Sequence, residues 1–372
     1  MPLDPFFDER LRLHRKYLFD QALSTVRTRL STAVRFLRTP IVVPAGGASS
    51  PAPARPDRAE RASQAAESAA LGPHARARAR HRRSALAWDR SELSAVGTPG
   101  PKVRTVEHTV EVPGHPCVRV RIYYPDVVGG APVPAVLAFF GGAFRIGGID
   151  YPTTDAAYRH RTVDAHVAIA AVDYSLAPEH RYPVQVEQAY ASLVWLYDQA
   201  GELGIDPTRI GVLGISAGGN IAATVAVMNR DRAGLPLRLQ VLEVPVVDLT
   251  GSHLDLHAVR GLGIPRALAL RELRSVARTY LTDLDEGIEP YASPLRAGSH
   301  EGLPPAVILT AEYDPLRGDG DAYGYALRRA GVDASVVRYQ GVTHDVAIFT
   351  GALPAARRWQ DDVVAALRRL HH

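Results

Sequence analysis

A serine framed by glycines, with an aspartate and a histidine downstream, is the part of this chain whose residue types and spacing could do chemistry. Residues 214–220 read GISAGGN, between an apolar run (Arg209 to Leu213) and an Ala/Ile/Val-rich one (Ile221 to Val227). A strand–turn–helix of this kind lifts a serine, here Ser216, to the end of a sheet strand, and glycines at 214 and 218 permit the sharp turn. A serine hydroxyl needs a base to take its proton and a carboxylate to orient that base. On an open α/β sheet these partners follow in the order acid, then histidine. Asp314 lies where the run Ala306 to Leu309 gives way to an acidic turn. His344 follows a second β-branched run, 30 residues further on. Both sit at expected strand ends, from which side chains converge on a site. Glu312 is the second choice for the acid; Asp319 and Asp321 lie beyond the turn. His253, His257 and His300 stand isolated in polar surroundings and read as ordinary surface or core histidines.

Acyl transfer also needs donors aimed at the oxygen that becomes negative. The run AVLAFFGGAFRIGG (135–148) reads as a buried strand opening into a Gly-rich loop. The N–H groups of Gly141, Gly142 and Ala143 are the candidate oxyanion donors, with Ala217 supplying a fourth from the helix N-terminus. No GxGxxG or GxxxxGK[ST] pattern occurs, which weakens a nucleotide reading. No His/Cys/Glu ligand spacing is present, so neither a metal nor another cofactor is expected.

The elements needed to position these residues are legible as alternating strands and helices, the signature of a mostly parallel sheet with helices on both faces. VPAVLAFF (133–140), VAIAAVDY (167–174) and LQVLEVPVV (239–247) read as buried strands. Residues 186–200 have helical periodicity, with Ala189, Leu193, Leu196 and Tyr197 on one face. Residues 103–112 and 117–125 alternate with period two and predict an antiparallel hairpin at the sheet edge.

These blocks resemble the hormone-sensitive-lipase-like (class IV) family of α/β-hydrolase fold carboxylesterases and lipases. FGGAF (140–144) is similar to the family's HGGGF or HGGAF, VDYSLAPEHRYP (172–183) to VDYRLAPEHPFP, and GISAGGN to GDSAGGN. YASPL (291–295) matches as it stands, LTAEYDPLRGDG (309–320) resembles LTAEYDPLRDEG, and GVTH (341–344) resembles the family's G-x-x-H. The blocks occur in family order over roughly residues 105–350. The resemblance implies an α/β-hydrolase fold with a helical cap, Ser216 as nucleophile, Asp314 and His344 as its partners, and an oxyanion hole around Gly141, Gly142, Ala143 and Ala217. The chain departs from the family at Phe140, in place of a histidine, at Ile215, in place of Asp, at Ser175, in place of Arg, and at Asp345 and Val346, in place of Gly-Phe. These changes point to an oxyanion loop held by apolar packing instead of polar links, with modest activity.

With 372 residues and 46% apolar composition the chain can bury a full core. Three segments are expected: an amphipathic helical stretch over 1–39, a Pro/Ala/Arg-rich linker over 40–96, partly disordered with some helix over 61–95, and the catalytic domain over 97–372. An insertion at about 250–290, including His257, Leu262, Ile264, Leu268 and Leu270, is the candidate acyl pocket and cap. The stripe Phe19, Leu23, Val26, Leu30, Val34 and Leu37 suits a cap over the site or a homodimer contact better than a membrane surface.

The net charge of +4 comes almost wholly from arginine, Lys16 and Lys102 being the only lysines. HARARARHRR (74–83) has no interleaved aromatics and reads as a solvated segment, not a nucleic-acid site. Cys117 is the only cysteine, so no internal disulfide can form. No run approaches the roughly 18 apolar residues of a membrane span, and the charged N-terminus has no secretory h-region. A cytoplasmic enzyme acting on a small-molecule ester is therefore expected: a serine carboxylester hydrolase for short to medium acyl chains. The alternatives are a small-molecule binding protein on the same fold, with little or no catalysis, and an acyltransferase.

Overall fold

The computed structural model describes residues 2–11, 72–126, 130–260 and 262–372. The expected stripe from Phe19 to Leu37 and most of the expected linker lie outside the described residues. The chain divides into two compact units, one of Ala85–His372 with Met1–Asp4, the other Pro5–Ser84. In the second unit residues 5–11 are helical, with the rings of Phe6 and Phe7 edge to face at 5.4 Å.

The first unit is built on one eight-stranded sheet: β1 (Arg104–Val112), β2 (His115–Tyr124), β3 (Val133–Phe139), β4 (Ala168–Asp173), β5 (Ile205–Ile215), β6 (Leu237–Glu243), β7 (Ala306–Tyr313) and β8 (Ala334–Thr343). Their spatial order is β1-β2-β4-β3-β5-β6-β7-β8. The β1–β2 and β2–β4 pairs are antiparallel and all others parallel, which is the fold class read from the alternation of elements. The hairpin expected at the sheet edge is present, in the register Arg104↔Tyr124. The central strands are buried on both faces, as parallel strands flanked by helices must be, which is why β3 and β4 read as unbroken apolar runs.

The longer helices are α1 (Pro73–Val96), α2 (Pro152–Ala165), α3 (Val184–Asp198), α4 (Ala217–Arg232), α5 (Arg266–Tyr280), α6 (Arg317–Arg329) and α7 (Pro354–Arg368). Helix α1 occupies the part of the chain expected to end a linker. Alanine and arginine are strong helix formers, and Pro73 at the first position costs no hydrogen bond, so 24 residues form one helix without many large apolar anchors. Its basic run is mostly exposed, and further along Asp89 accepts hydrogen bonds from the N–H and hydroxyl of Thr153 at the start of α2. In α3 the expected face is buried through Ala189, Leu193 and Leu196. Strand β6 stops at Glu243, short of the run read to 247, because Val244 takes a left-handed φ of 41° ahead of Pro245.

One buried ion pair ties β6 to the helices on one side of the sheet. Arg161 of α2 grips the Glu243 carboxylate with two bonds of 2.7 and 2.9 Å, and Trp359 of α7 donates its indole N–H to the same group at 2.6 Å. The Glu243 side chain is fully buried and that of Arg161 is 5% exposed. Removing one partner strands the other charge in a dry interior, at a cost of about 3–5 kcal/mol. Arg161→Leu should therefore lower unfolding stability by that order in urea titration, and Arg161→Leu with Glu243→Leu should recover most of the loss. Equal loss in the single and double variants would contradict this account of the pair.

Candidate active site

The turn after β5 places Ser216 at the C-terminal edge of the sheet with φ 56° and ψ −116°, a backbone conformation that L-residues rarely adopt. The two flanking glycines make it feasible. A Cβ on Gly214 would lie 2.0 Å from the Gly218 carbonyl oxygen, and one on Gly218 only 2.2 Å from that of Phe139. The Ser216 N–H donates to the Glu243 carbonyl at 2.8 Å, so the end of β6 carries the elbow. From α4, Asn220 donates its side-chain amide to the carbonyls of Val246 and Ala292, both at 2.9 Å, which gives the GISAGGN and YASPL blocks a common purpose.

Three side chains from three strand ends meet here. His344 Nε2 lies 2.9 Å from Ser216 Oγ, and His344 Nδ1 lies 2.7 Å from Asp314 Oδ2. Asp314 is buried and accepts the Leu316 N–H with its other oxygen; His344 is one-third exposed. Burial alone would lower the imidazole pKa, but the Asp314 carboxylate beside it, with a further contribution from Asp345, pushes it up to about 9. The other candidates are engaged elsewhere. Glu312 accepts the Gly341 N–H at 2.7 Å. Asp319 accepts the N–H groups of Val247 and Asp248, and its deep burial raises its carboxyl to about 8 against their pull. Asp321 pairs with Arg338 on the surface. His253 contacts Asp248, His300 contacts the Pro294 carbonyl, and His257 is exposed.

The Gly-rich loop folds back against the elbow. A Cβ on Gly141 would lie 3.4 Å from Ser216 Cβ, so the loop backbone borders the serine directly. Gly142 (φ 133°), Ala143 (54°) and Phe144 (60°) hold a tight positive-φ bend. Among the described residues, none of the N–H groups of Gly141, Gly142, Ala143 and Ala217 donates to another group. Donors left open beside a serine are what a developing oxyanion requires.

The sequence departures have visible consequences. The Phe140 ring, buried, stacks on Tyr174 at 4.1 Å and 7°, while the Tyr174 hydroxyl donates to the Phe140 carbonyl at 2.8 Å. Where the resembled family has a histidine, ring stacking and a tyrosine hydroxyl together hold the loop, so the polar links expected to be missing are supplied by Tyr174 and Ala177. Ser175 bonds Gln188 through both its N–H and its hydroxyl. The Ala177 N–H donates to the Phe144 carbonyl at 2.8 Å, so the VDYSLAPEH block braces the loop from behind.

The 250–290 segment contains α5, which packs on the loop through Tyr280 stacked on Phe144 at 3.7 Å and Glu272 paired with Arg145 at 2.6 Å. A cavity of about 110 Å³ lies between α5 and the strand ends. Of the five residues expected to line an acyl pocket, only Leu270 lines this cavity. His257 and Leu268 are exposed, and Leu262 is buried elsewhere. The lining instead comes from Val246, Leu249, Leu254, Leu273, Val276 and Leu316. The helical spacing of Leu270, Leu273 and Val276 carried a signal for part of it. Val246 and Leu316 needed the strand-end geometry. Among the described residues no cluster of three or more His, Cys, Asp or Glu side chains could hold a metal, and no helix is long and apolar enough to cross a membrane.

Residues 136–348 match the family model described as alpha/beta hydrolase fold. The chain is 37% identical to carboxylesterase NlhH of Mycobacterium tuberculosis over 289 residues, 76% of this chain and 89% of that one. It is 36% identical to esterase LipI of the same organism, over 73% and 84% of the two chains. Among solved structures it is similar to EstE1, a thermostable carboxylesterase from a metagenomic library, with TM-score 0.72, 36% identity and coverage of 79% and 98%. The Pyrobaculum calidifontis esterase gives TM-score 0.72 and 33% identity over 79% and 93%.

A base that must be neutral to accept the serine proton fixes the sign of the pH dependence. With the His344 pKa raised above 6.5, toward 9, kcat/KM on an ester should fall as pH drops through that raised value. Asp314→Asn should move the limb back toward about 6.5. A wild-type limb at or below 6.5 in a pH–rate profile would contradict the Asp314–His344 coupling.

Proposed function

This chain belongs to the hormone-sensitive-lipase-like branch of the alpha/beta hydrolase fold family, and we infer from that premise that it is a serine carboxylester hydrolase. The observation that carries the reading is the continuous hydrogen-bonded relay Asp314–His344–Ser216 beside open backbone donors. His344 takes the Ser216 proton as Oγ attacks the ester carbonyl. The tetrahedral oxyanion is held by N–H groups of Gly141, Gly142, Ala143 and Ala217. The protonated imidazole gives its proton to the departing alcohol, leaving an acyl-enzyme. Water, deprotonated by the same histidine, then releases the acid. Asp314 keeps the imidazole oriented and offsets its transient charge.

The cavity between α5 and the strand ends, lined mainly by leucine and valine, suits a short to medium acyl chain. One of its lining residues, Val246, points its N–H to the Ser216 carbonyl at 3.4 Å. We place the catalytic domain at 97–372, with α5 as the core of its cap. A reducing compartment, the cytoplasm, suits a chain whose one cysteine, Cys117, leaves no internal disulfide to form. Retention of the full relay favours hydrolysis over a binding-only protein.

A fluorophosphonate probe should label the protein, with no labelling in Ser216→Ala, and the same variant should lose about 10⁴- to 10⁶-fold in kcat on a short p-nitrophenyl ester. Labelling that survives in Ser216→Ala, or an unreactive wild-type protein, would contradict the assignment.

A further inference from the structure

The mostly apolar cavity behind α5 adjoins a cluster of arginines that has no ion-pair partner among the described residues. Two residues of its inner wall are bonded to members of the relay: the Val246 N–H points to the Ser216 backbone carbonyl, and the Leu316 N–H donates to Asp314 at 3.0 Å. Its outer wall is α5, which contributes Leu270, Leu273 and Arg274. Leu270 and Arg274 also line a second, open cavity of about 250 Å³, together with Ala267, Arg271 and Arg278. The two spaces therefore adjoin, the inner one mostly apolar and the outer one ringed by three guanidinium groups.

Arginines at helical spacing are most often a solvated face. Two observations set these apart. Arg274 is at once part of the solvent-facing cluster and part of the lining of the inner cavity. In addition, none of Arg271, Arg274 and Arg278 has a side-chain ion-pair or hydrogen-bond partner among the described residues. The nearby carboxylates are already engaged: Glu272 by Arg145, and Asp248, at the inner cavity, by Arg296 at 2.9 and 3.0 Å. A chain lying in the cavity with its ester carbonyl at Ser216 would bring its far end to these cations.

We propose that this site selects esters whose acyl arm ends in a carboxylate, such as hemiesters of dicarboxylic acids, with Arg274, supported by Arg271 and Arg278, binding the anionic end. The inference rests on the esterase reading of Ser216 and specifies its substrate class. The leucine and valine side chains of the cavity suit the methylenes, and a partly solvated guanidinium adds attraction that depends on ionic strength.

The test compares kcat/KM for the p-nitrophenyl hemiester of adipic acid with that for p-nitrophenyl hexanoate, an uncharged ester of equal chain length. The ratio of the two should exceed one at low salt and fall as the Debye length shrinks from about 30 to 3 Å. In Arg274→Gln it should drop roughly two- to fivefold, the scale of a partly solvated ion pair. Arg266→Gln, on the same helix but lining neither cavity, should leave the ratio unchanged. A wild-type ratio at or below one, or a ratio indifferent to both salt and Arg274→Gln, overturns the proposal while hexanoate hydrolysis still supports the esterase reading. Failure to hydrolyse either ester overturns both.

Discussion

The hydrogen bond from the Ser216 N–H to the Glu243 carbonyl is the interaction on which the rest of the site depends. It holds a serine in a conformation that L-residues avoid at a cost on the order of 1–3 kcal/mol, which its surroundings must offset. Those surroundings are visible. Glu243 is fixed by Arg161 and Trp359, Gly218 lets α4 press against the Phe139 carbonyl, and Asn220 draws the loop after β6 and the YASPL segment toward the helix N-terminus. With Ser216 so constrained, Oγ projects toward His344 while the first N–H of α4 remains open beside it.

The oxyanion loop and the cap segment form one packed unit. Phe144 stacks on Tyr280, Arg145 reaches Glu272, and the Tyr182 N–H donates to the Tyr280 carbonyl, while Arg181 caps carbonyls at the end of α5. Whatever shifts α5 must shift the donors at Gly142 and Ala143. The helix that lines the cavity thus also packs on the loop that borders Ser216.

Much of this was legible in the residue pattern, for reasons particular to each part. Glycines 214 and 218 are visible because only glycine fits there: a Cβ at either position would lie 2.0–2.2 Å from a neighbouring carbonyl oxygen. Strands β3 and β4 are visible because burial on both faces leaves unbroken apolar runs, and the hairpin because one of its faces is wetter. The lining of the cavity behind α5 is less legible: apolar residues between 250 and 290 look alike in sequence, and which of them turn inward depends on how α5 docks on Phe144. The Arg161–Glu243–Trp359 network left no trace in the pattern, since its members are 82 and 116 residues apart and each reads alone as a surface charge or a core aromatic. Helix α1 was half-read, because alanine and arginine mark helix propensity without marking what the helix packs on.

Ser216 and His344 acting as one device is the central claim, and the most direct measurement is kcat for Ser216→Ala, His344→Ala and the pair together on one short-chain ester. A hydroxyl that reacts only through its imidazole predicts that either single change costs nearly as much as both, as for groups acting as a unit. Losses that multiply in the double variant would mean that the two side chains contribute independently, and would contradict the account.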